Sequence, residues 1–212
     1  MERTRQGAAR HPHPGSGRPS GPDDLYTGPP PWDIGRPQPA FLSLAQSGAI
    51  GGRVLDVGCG TGEHALMAAG LGLDATGVDL AVSALRAAEQ KARDRGLTTR
   101  FLRQDALRLA DLGESFDTVL DCGLFHIFGG GDRAAYAASL RSVLQPRGRY
   151  FLLCFSDAQP PDGWARVHRV SQDEIKASFA DGWRIDAIEP ATIDITTGPG
   201  GIRAWLAALT RT

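Results

Sequence analysis

Cysteine is scarce in this chain: Cys59, Cys122 and Cys154 are widely spaced, odd in number and include no CxxC pair. That pattern excludes a disulfide framework and a zinc site, so no metal is expected and a reducing cytoplasm fits. Net charge is nearly absent as well, −1 at pH 7, which removes the electrostatic case for a nucleic-acid or membrane surface. Long apolar runs are missing: the uncharged stretch 40–52 is too short and too rich in Gly and Ser to span a bilayer. Met1-Glu2-Arg3-Thr4-Arg5 carries charge, but no apolar region follows it, so no secretory leader is expected. What remains is an ordinary globular composition, 42% hydrophobic and 22% charged over 212 residues, enough for one domain with a sizeable core. A small neutral or weakly charged molecule is the expected partner.

Residues 1–24 hold Gly, Pro, Ser, Arg and His with almost no large apolar side chain, too little to offset the entropy of ordering. The expectation is a disordered tail over 1–24 and one domain over 25–212. His11 and His13, with proline neighbours and no carboxylate partner, read as solvated tail residues rather than metal ligands. Tyr26, the run Pro29-Pro30-Pro31 and then Trp32-Asp33-Ile34-Gly35 form a stiff, extended lead-in. A helix is expected over 39–47. Beyond it, short Val/Leu/Ile-rich runs alternate with longer amphipathic stretches in the βα manner.

Strands are expected at 53–57, 75–79, 100–103, 116–121 and 149–155, with helices at 62–69, 81–95 and 132–144, the last closed by Pro146 and Gly148. Ser171 and Glu174 form a capping box for a helix reaching Phe179. Two closing strands, 183–188 (interrupted near Pro190) and 202–209, are joined by a short loop over 196–201. The fold class is α/β: a seven-stranded sheet, mostly parallel with an antiparallel C-terminal hairpin strand and helices on both faces.

In such a sheet a ligand sits beyond the carboxyl ends of the strands, where strand order reverses. The loop after the first strand carries Gly58, Gly60 and Gly62, which let backbone N–H groups and a helix start approach a ligand. The spacing is G-x-G-x-G, with Glu63 where a dinucleotide-binding motif would have its third glycine. Asp56, just ahead of the loop, disfavours a pyrophosphate and suits an ammonium group. Asp79, ending the second strand, can accept from both hydroxyls of a ribose. Asp105 is placed to accept an exocyclic amine while Leu80 and Ala106 cover the faces of a purine. Together these match an amino acid, a ribose and an adenine.

The set Val54-Leu55-Asp56-Val57-Gly58-Cys59-Gly60-Thr61-Gly62 with Asp79 and Asp105 behind it resembles the class I S-adenosylmethionine-dependent methyltransferases over about residues 50–157. The resemblance implies a Rossmann-like sheet with its last strand reversed and S-adenosylmethionine as cofactor, leaving as S-adenosylhomocysteine. It also implies Asp56 and the glycine loop near the methionine moiety, Asp79 on the ribose and Asp105 near the adenine. The lead-in Pro31-Trp32-Asp33-Ile34-Gly35 is similar to the thiopurine, thiol and halide methyltransferase branch and its bacterial relatives acting on small heterocycles or phenols. That likeness makes Trp32 a candidate lid over the cofactor, against the alternative that it packs on the outer face of the sheet.

Methyl transfer needs a nucleophile held about 3 Å from an activated carbon, so positioning and desolvation supply most of the acceleration. A base is needed only if the acceptor must lose a proton. The segment after the fourth strand offers Asp121 and His126 as catalytic candidates, His126 with an ordinary pKa near ~6.5 as a base for a phenol or thiol. Phe125 and Phe128 suit an apolar acceptor ring or, equally, a core. The absence of Pro-Pro-aromatic after Asp121 counts against a nucleic-acid base as acceptor. The expected function is methyl transfer to O, N or S of a small aromatic or heterocyclic molecule. The alternatives are a non-catalytic S-adenosylmethionine-binding module and a nicotinamide-dependent oxidoreductase, the latter disfavoured by the glycine spacing and Asp56.

Overall fold

The computed structural model describes residues 21–160 and 167–212. Among them, strands β1 (Arg53–Val57), β2 (Asp74–Asp79), β3 (Arg100–Arg103), β4 (Phe116–Cys122), β5 (Leu144–Phe155), β6 (Trp183–Ile195) and β7 (Gly198–Arg211) form one sheet ordered β3-β2-β1-β4-β5-β7-β6. The first five are mutually parallel, and β7 runs antiparallel to both β5 and β6. The reversed strand therefore lies one place in from the edge. Helices α1 (Pro39–Gln46), α2 (Glu63–Gly70), α3 (Val82–Asp94), α4 (Gly130–Val143) and α5 (Gln172–Ser178) complete the fold.

Burial on both faces explains why the inner strands read as continuous apolar runs. Alternate residues separate cleanly into two cores. Leu55, Val57, Val119 and Tyr150 pack against Tyr136 and Leu140 of α4 and Ile175 of α5. Val54, Leu120, Phe151 and Leu153 pack against Phe41 of α1 and Ala68 of α2. Strand order reverses between β1 and β4, so the crevice for a ligand opens above their carboxyl ends.

The elements depart from the sequence expectation in three places. The helix α4 ends at Val143 because Leu144 turns extended (φ −79, ψ 138), and β5 begins there, running through Pro146 and Gly148 past a register shift instead of being closed by them. The strand β6 runs on through Pro190 to Ile195, and β7 starts at Gly198, so the expected loop over 196–201 shrinks to Thr196 and Thr197. A proline is tolerated there because β6 is the edge strand, where one side of the backbone needs no partner.

The third departure is at the amino end. The expected tail includes residues 21–24, but Pro22–Tyr26 forms a 3-10 turn whose Asp23 Oδ1 accepts from Ser83 N (2.7 Å) and Ser83 Oγ (2.6 Å), satisfying the start of α3. Polar capping orders this segment, a force invisible to a count of apolar side chains. The rest of the expected tail, with His11 and His13, lies outside the described residues. Ser171 and Glu174 do form the capping box: Ser171 Oγ accepts from Glu174 N (3.2 Å) and Glu174 Oε2 accepts from Ser171 N (2.8 Å).

Candidate functional site

A cavity of about 770 Å³ opens over the carboxyl ends of β1, β2 and β4. Its floor begins with the glycine loop. Gly60 (φ +51) must be glycine, since a Cβ there would sit 2.7 Å from the Tyr26 hydroxyl. Gly60 N donates to Asp79 Oδ2 (2.9 Å) and Ala81 N donates to Asp79 Oδ1 (2.8 Å). Each Asp79 oxygen thus spends one lone pair on the backbone and keeps another, and the residue lines the cavity. Asp105 Oδ1 caps the 3-10 turn Ala106–Leu112 by accepting from Leu107 N (2.9 Å), and Leu80 and Ala106 flank it on the same wall.

The lead-in forms the roof. Trp32 lines the cavity, 38% exposed, and its side chain hydrogen-bonds Tyr26, so it does not pack on the outer face of the sheet. Burial and the neighbouring Asp79 charge push the Tyr26 phenol upward, keeping it protonated. Asp33 Oδ2 accepts from the Thr61 hydroxyl (2.8 Å), and Lys91 Nζ donates to Thr61 Oγ1 (2.7 Å) while pairing with Glu63 (2.8 Å). Burial pushes the Glu63 carboxyl up, but Arg95 and Lys91 outweigh it and hold it below its usual range.

The far wall is the tip of the β6–β7 hairpin. Phe155, the last residue of β5, pairs with Ala204, so residues before Ala204 on β7 and after Ala191 on β6 project past the sheet. Ile193, Ile195 and Ile202 from this projection line the cavity. The lead-in is tied to it: Thr196 N donates to Pro31 O (2.8 Å), and the Gln38 amide both donates to Asp194 O (3.0 Å) and accepts from Asp194 N (2.8 Å). Gln38 N in turn donates to His64 Nε2 (3.2 Å), and burial pushes this histidine down to about 4.

Of the site residues expected from sequence, Trp32, Gly58, Gly60, Asp79, Leu80, Asp105, Ala106, His126 and Phe128 line this one cavity. Four others do not, and their expected roles are corrected. Asp56 is 1% exposed and points behind the loop, its Oδ2 accepting from Ala65 N (3.1 Å) at the start of α2. Burial raises it to about 7, and because it braces the helix start and does not line the cavity it is not an open partner for an ammonium group. Gly62 (φ +85) caps α2, and a Cβ there would meet Ala88 at 2.7 Å and Phe101 at 2.8 Å, so its glycine serves helix packing.

Asp121 is fully buried. Its Oδ1 accepts from Leu124 N (2.9 Å) and Phe125 N (3.4 Å), and its Oδ2 accepts from the hydroxyls of Tyr136 (2.8 Å) and Tyr150 (2.9 Å). With both oxygens saturated and no face on the cavity it cannot act as a base on an acceptor. Phe125 has no exposure either and packs on Phe179 (5.6 Å between centroids) under the guanidinium of Arg133 (5.1 Å). It belongs to the core.

His126 does line the cavity, 7% exposed, with its ring 4.3 Å from that of Phe155. Its Nδ1 accepts from Phe155 N (3.3 Å). Burial, then His168 and Arg133, push it down to about 4, so it stays neutral at pH 7. Tyr26, Gln38, His64 and the hairpin isoleucines were not anticipated as site residues. The alternation Ile193-Asp194-Ile195 was the available signal for the last of these.

The pattern described as "Methyltransferase domain" matches residues 54–148. The chain is 36% identical over 165 residues, 77% of its length, to 2-heptyl-1-hydroxyquinolin-4(1H)-one methyltransferase of Mycobacteroides abscessus, of which it covers 73%. It is 30% identical to probable thiol methyltransferase 2 of Arabidopsis thaliana over 59% of this chain and 56% of that one. A structure solved in work on the conversion of a disulfide bond into a thioacetal group during echinomycin biosynthesis superposes with a TM-score of 0.82 at 38% identity, covering 89% of this chain and 91% of its own.

Proposed function

Since the chain belongs to the class I S-adenosylmethionine-dependent methyltransferases, we propose that it methylates O, N or S of a small aromatic or heterocyclic acceptor held against the hairpin tip. One observation carries this reading: the cavity that opens over Asp79, Gly60 and Asp105 also reaches an apolar end walled by Ile193, Ile195 and Ile202 of the hairpin tip and Phe155 of β5. The relative from Mycobacteroides abscessus acts, by its name, on a hydroxyquinolinone, a fused heteroaromatic of the kind such an apolar end accommodates.

Bound S-adenosylmethionine supplies an already activated methyl group. Asp79 is suited to its ribose hydroxyls through the lone pairs it keeps, Leu80 and Ala106 to its adenine, and Gly58 and Gly60 to close backbone approach. Trp32 and Tyr26 cover the donor end and exclude water, which strengthens the polar contacts beneath them. The isoleucine wall orients the acceptor, and orientation accounts for most of the acceleration expected of such a site. Three free cysteines fit a reducing compartment, and we place the protein in the cytoplasm; no helix among the described residues is long and apolar enough to cross a membrane.

The test is mass-spectrometric detection of methyl gain across hydroxyquinolinones, phenols, thiols and N-heterocycles with S-adenosylmethionine supplied. The expected result is a product heavier by one methyl from at least one aromatic acceptor. Binding of the cofactor with no methylated product from any member of the panel overturns it.

A further inference from the structure

The neutral imidazole of His126 has its proton placed by the backbone. A ring nitrogen that accepts a hydrogen bond carries no hydrogen, so the Phe155 N–H on Nδ1 leaves the proton of the neutral ring on Nε2. The ring's one lone pair is spent on that contact, and Nε2–H has no partner among the described residues on a side chain that lines the cavity. A general base needs a free lone pair facing the acceptor. His126 offers the reverse.

We propose that His126 donates a hydrogen bond through Nε2–H to an acceptor that binds already deprotonated, which makes the substrate an acidic heteroaromatic hydroxyl, N-hydroxyl or thiol. This rests on the function proposed above and narrows its substrate class. The surroundings agree. Arg133 of α4 is 5% exposed, holds Glu174 through Nη1 (2.7 Å) and has its Nε buried without a partner. His168 also lines the cavity and shares Glu174 (2.8 Å). On the strand side the titratable neighbours are the thiols of Cys122, which lines the cavity, and Cys154, both pushed upward by burial and so neutral, with Asp121 turned away into its tyrosine pair.

Arg133 and Glu174 carry equal and opposite charge, but it is the Arg133 guanidinium whose charge acts on the His126 ring, and a cation there favours an anion over its conjugate acid. The acceptor releases its proton to solvent before binding. In the transfer the heteroatom–carbon bond forms as the sulfonium sulfur–carbon bond breaks, the electron pair returns to sulfur, and the two opposite charges cancel with no proton left for the protein to take.

Two variants separate donor from base. His126→Gln places an amide N–H near the Nε2 position and cannot titrate. His126→Asn puts its amide oxygen near the Nδ1 position, keeps the Phe155 contact and withdraws the donor. The first readout is the colour of 4-nitrophenol, whose anion absorbs in the visible, titrated from pH 5 to 9 on protein loaded with S-adenosylhomocysteine. The donor role predicts that wild type and His126→Gln lower the apparent pKa of the bound probe, while His126→Asn does not. The second is the pH profile of kcat/KM for each methylated member of a graded phenol series. Its inflection should follow the acceptor's own pKa from one phenol to the next, survive in His126→Gln, and fall in height about 10- to 100-fold in His126→Asn.

An inflection that stays at one pH for every acceptor and vanishes in His126→Gln, or a probe held as the neutral phenol, overturns the donor role while leaving methyl transfer standing. No methylation of any acceptor sinks the function and this inference together.

Discussion

Asp56 and Asp121 stand at the ends of adjacent strands beneath the cavity, and both are carboxyls that burial raises, to about 7 and about 6. Their spacing along the chain was legible, but their direction was not, because it depends on partners far away in sequence: Tyr136 and Tyr150 for Asp121, the start of α2 for Asp56. The raised values carry a pH signature. An acid whose folded pKa exceeds its unfolded value stabilises fully below the unfolded pKa, near 3.8 here, and loses that contribution as pH rises through the folded one. His64 and His126, both held down at about 4, work in the opposite sense and favour folding above their unfolded pKa near ~6.5.

Asp56→Asn isolates one of these contributions. Its amide oxygen can still accept from Ala65 N, and it cannot ionise. Relative to wild type the variant should gain stability between pH 4.5 and 7.5, by an amount on the order of a few kcal/mol, in urea denaturation at the two pH values. A difference that stays constant across that range contradicts a raised Asp56.

At the scale of elements, β1 to β4 and α2, α3 and α5 were readable within a residue or two because periodicity and caps are local. The β6–β7 hairpin was not. Pro190 read as a break and Gly198-Pro199-Gly200-Gly201 as a loop, yet an edge strand tolerates the one and an antiparallel partner straightens the other. The element that shapes the acceptor end was therefore the least legible. Gly201 (φ +60) holds the hairpin's bulge, and a Cβ there would lie 2.5 Å from Thr192 Cγ2 and 2.7 Å from Ile193 O. Gly201→Ala should cost roughly 1–3 kcal/mol of stability. It should also raise KM for the acceptor several-fold while cofactor affinity measured by calorimetry stays within about twofold. Equal losses at both ends of the cavity would show that the hairpin is not specific to the acceptor.

For the molecule as a whole, sheet order and the place of the crevice followed from the βα alternation, since topology constrains where a ligand can sit before any side chain is known. Of the roof only Trp32 was anticipated, through the resemblance of the lead-in; the rest did not follow, because it comes from a segment with no periodicity, held by a few polar contacts to elements far away in sequence. Removing residues 1–20 should leave S-adenosylhomocysteine affinity within about twofold. Removal through Tyr26 strips the contact over Gly60 and the Asp23 cap on α3, and should weaken binding roughly tenfold or more by calorimetry. Equal affinities for the two truncations would place the roof outside the binding energetics.

The amide pairing of Gln38 with Asp194 joins residues 156 positions apart. Closing so long a stretch of chain costs entropy that only the finished hairpin returns, so this contact forms late in folding. During synthesis from the amino end, the glycine loop, Asp79 and Asp105 all leave the ribosome before β6 and β7 exist. The residues of the glycine loop and the two acids are thus made first, while the isoleucine wall and the ties that hold the lead-in to the hairpin wait for the last strand.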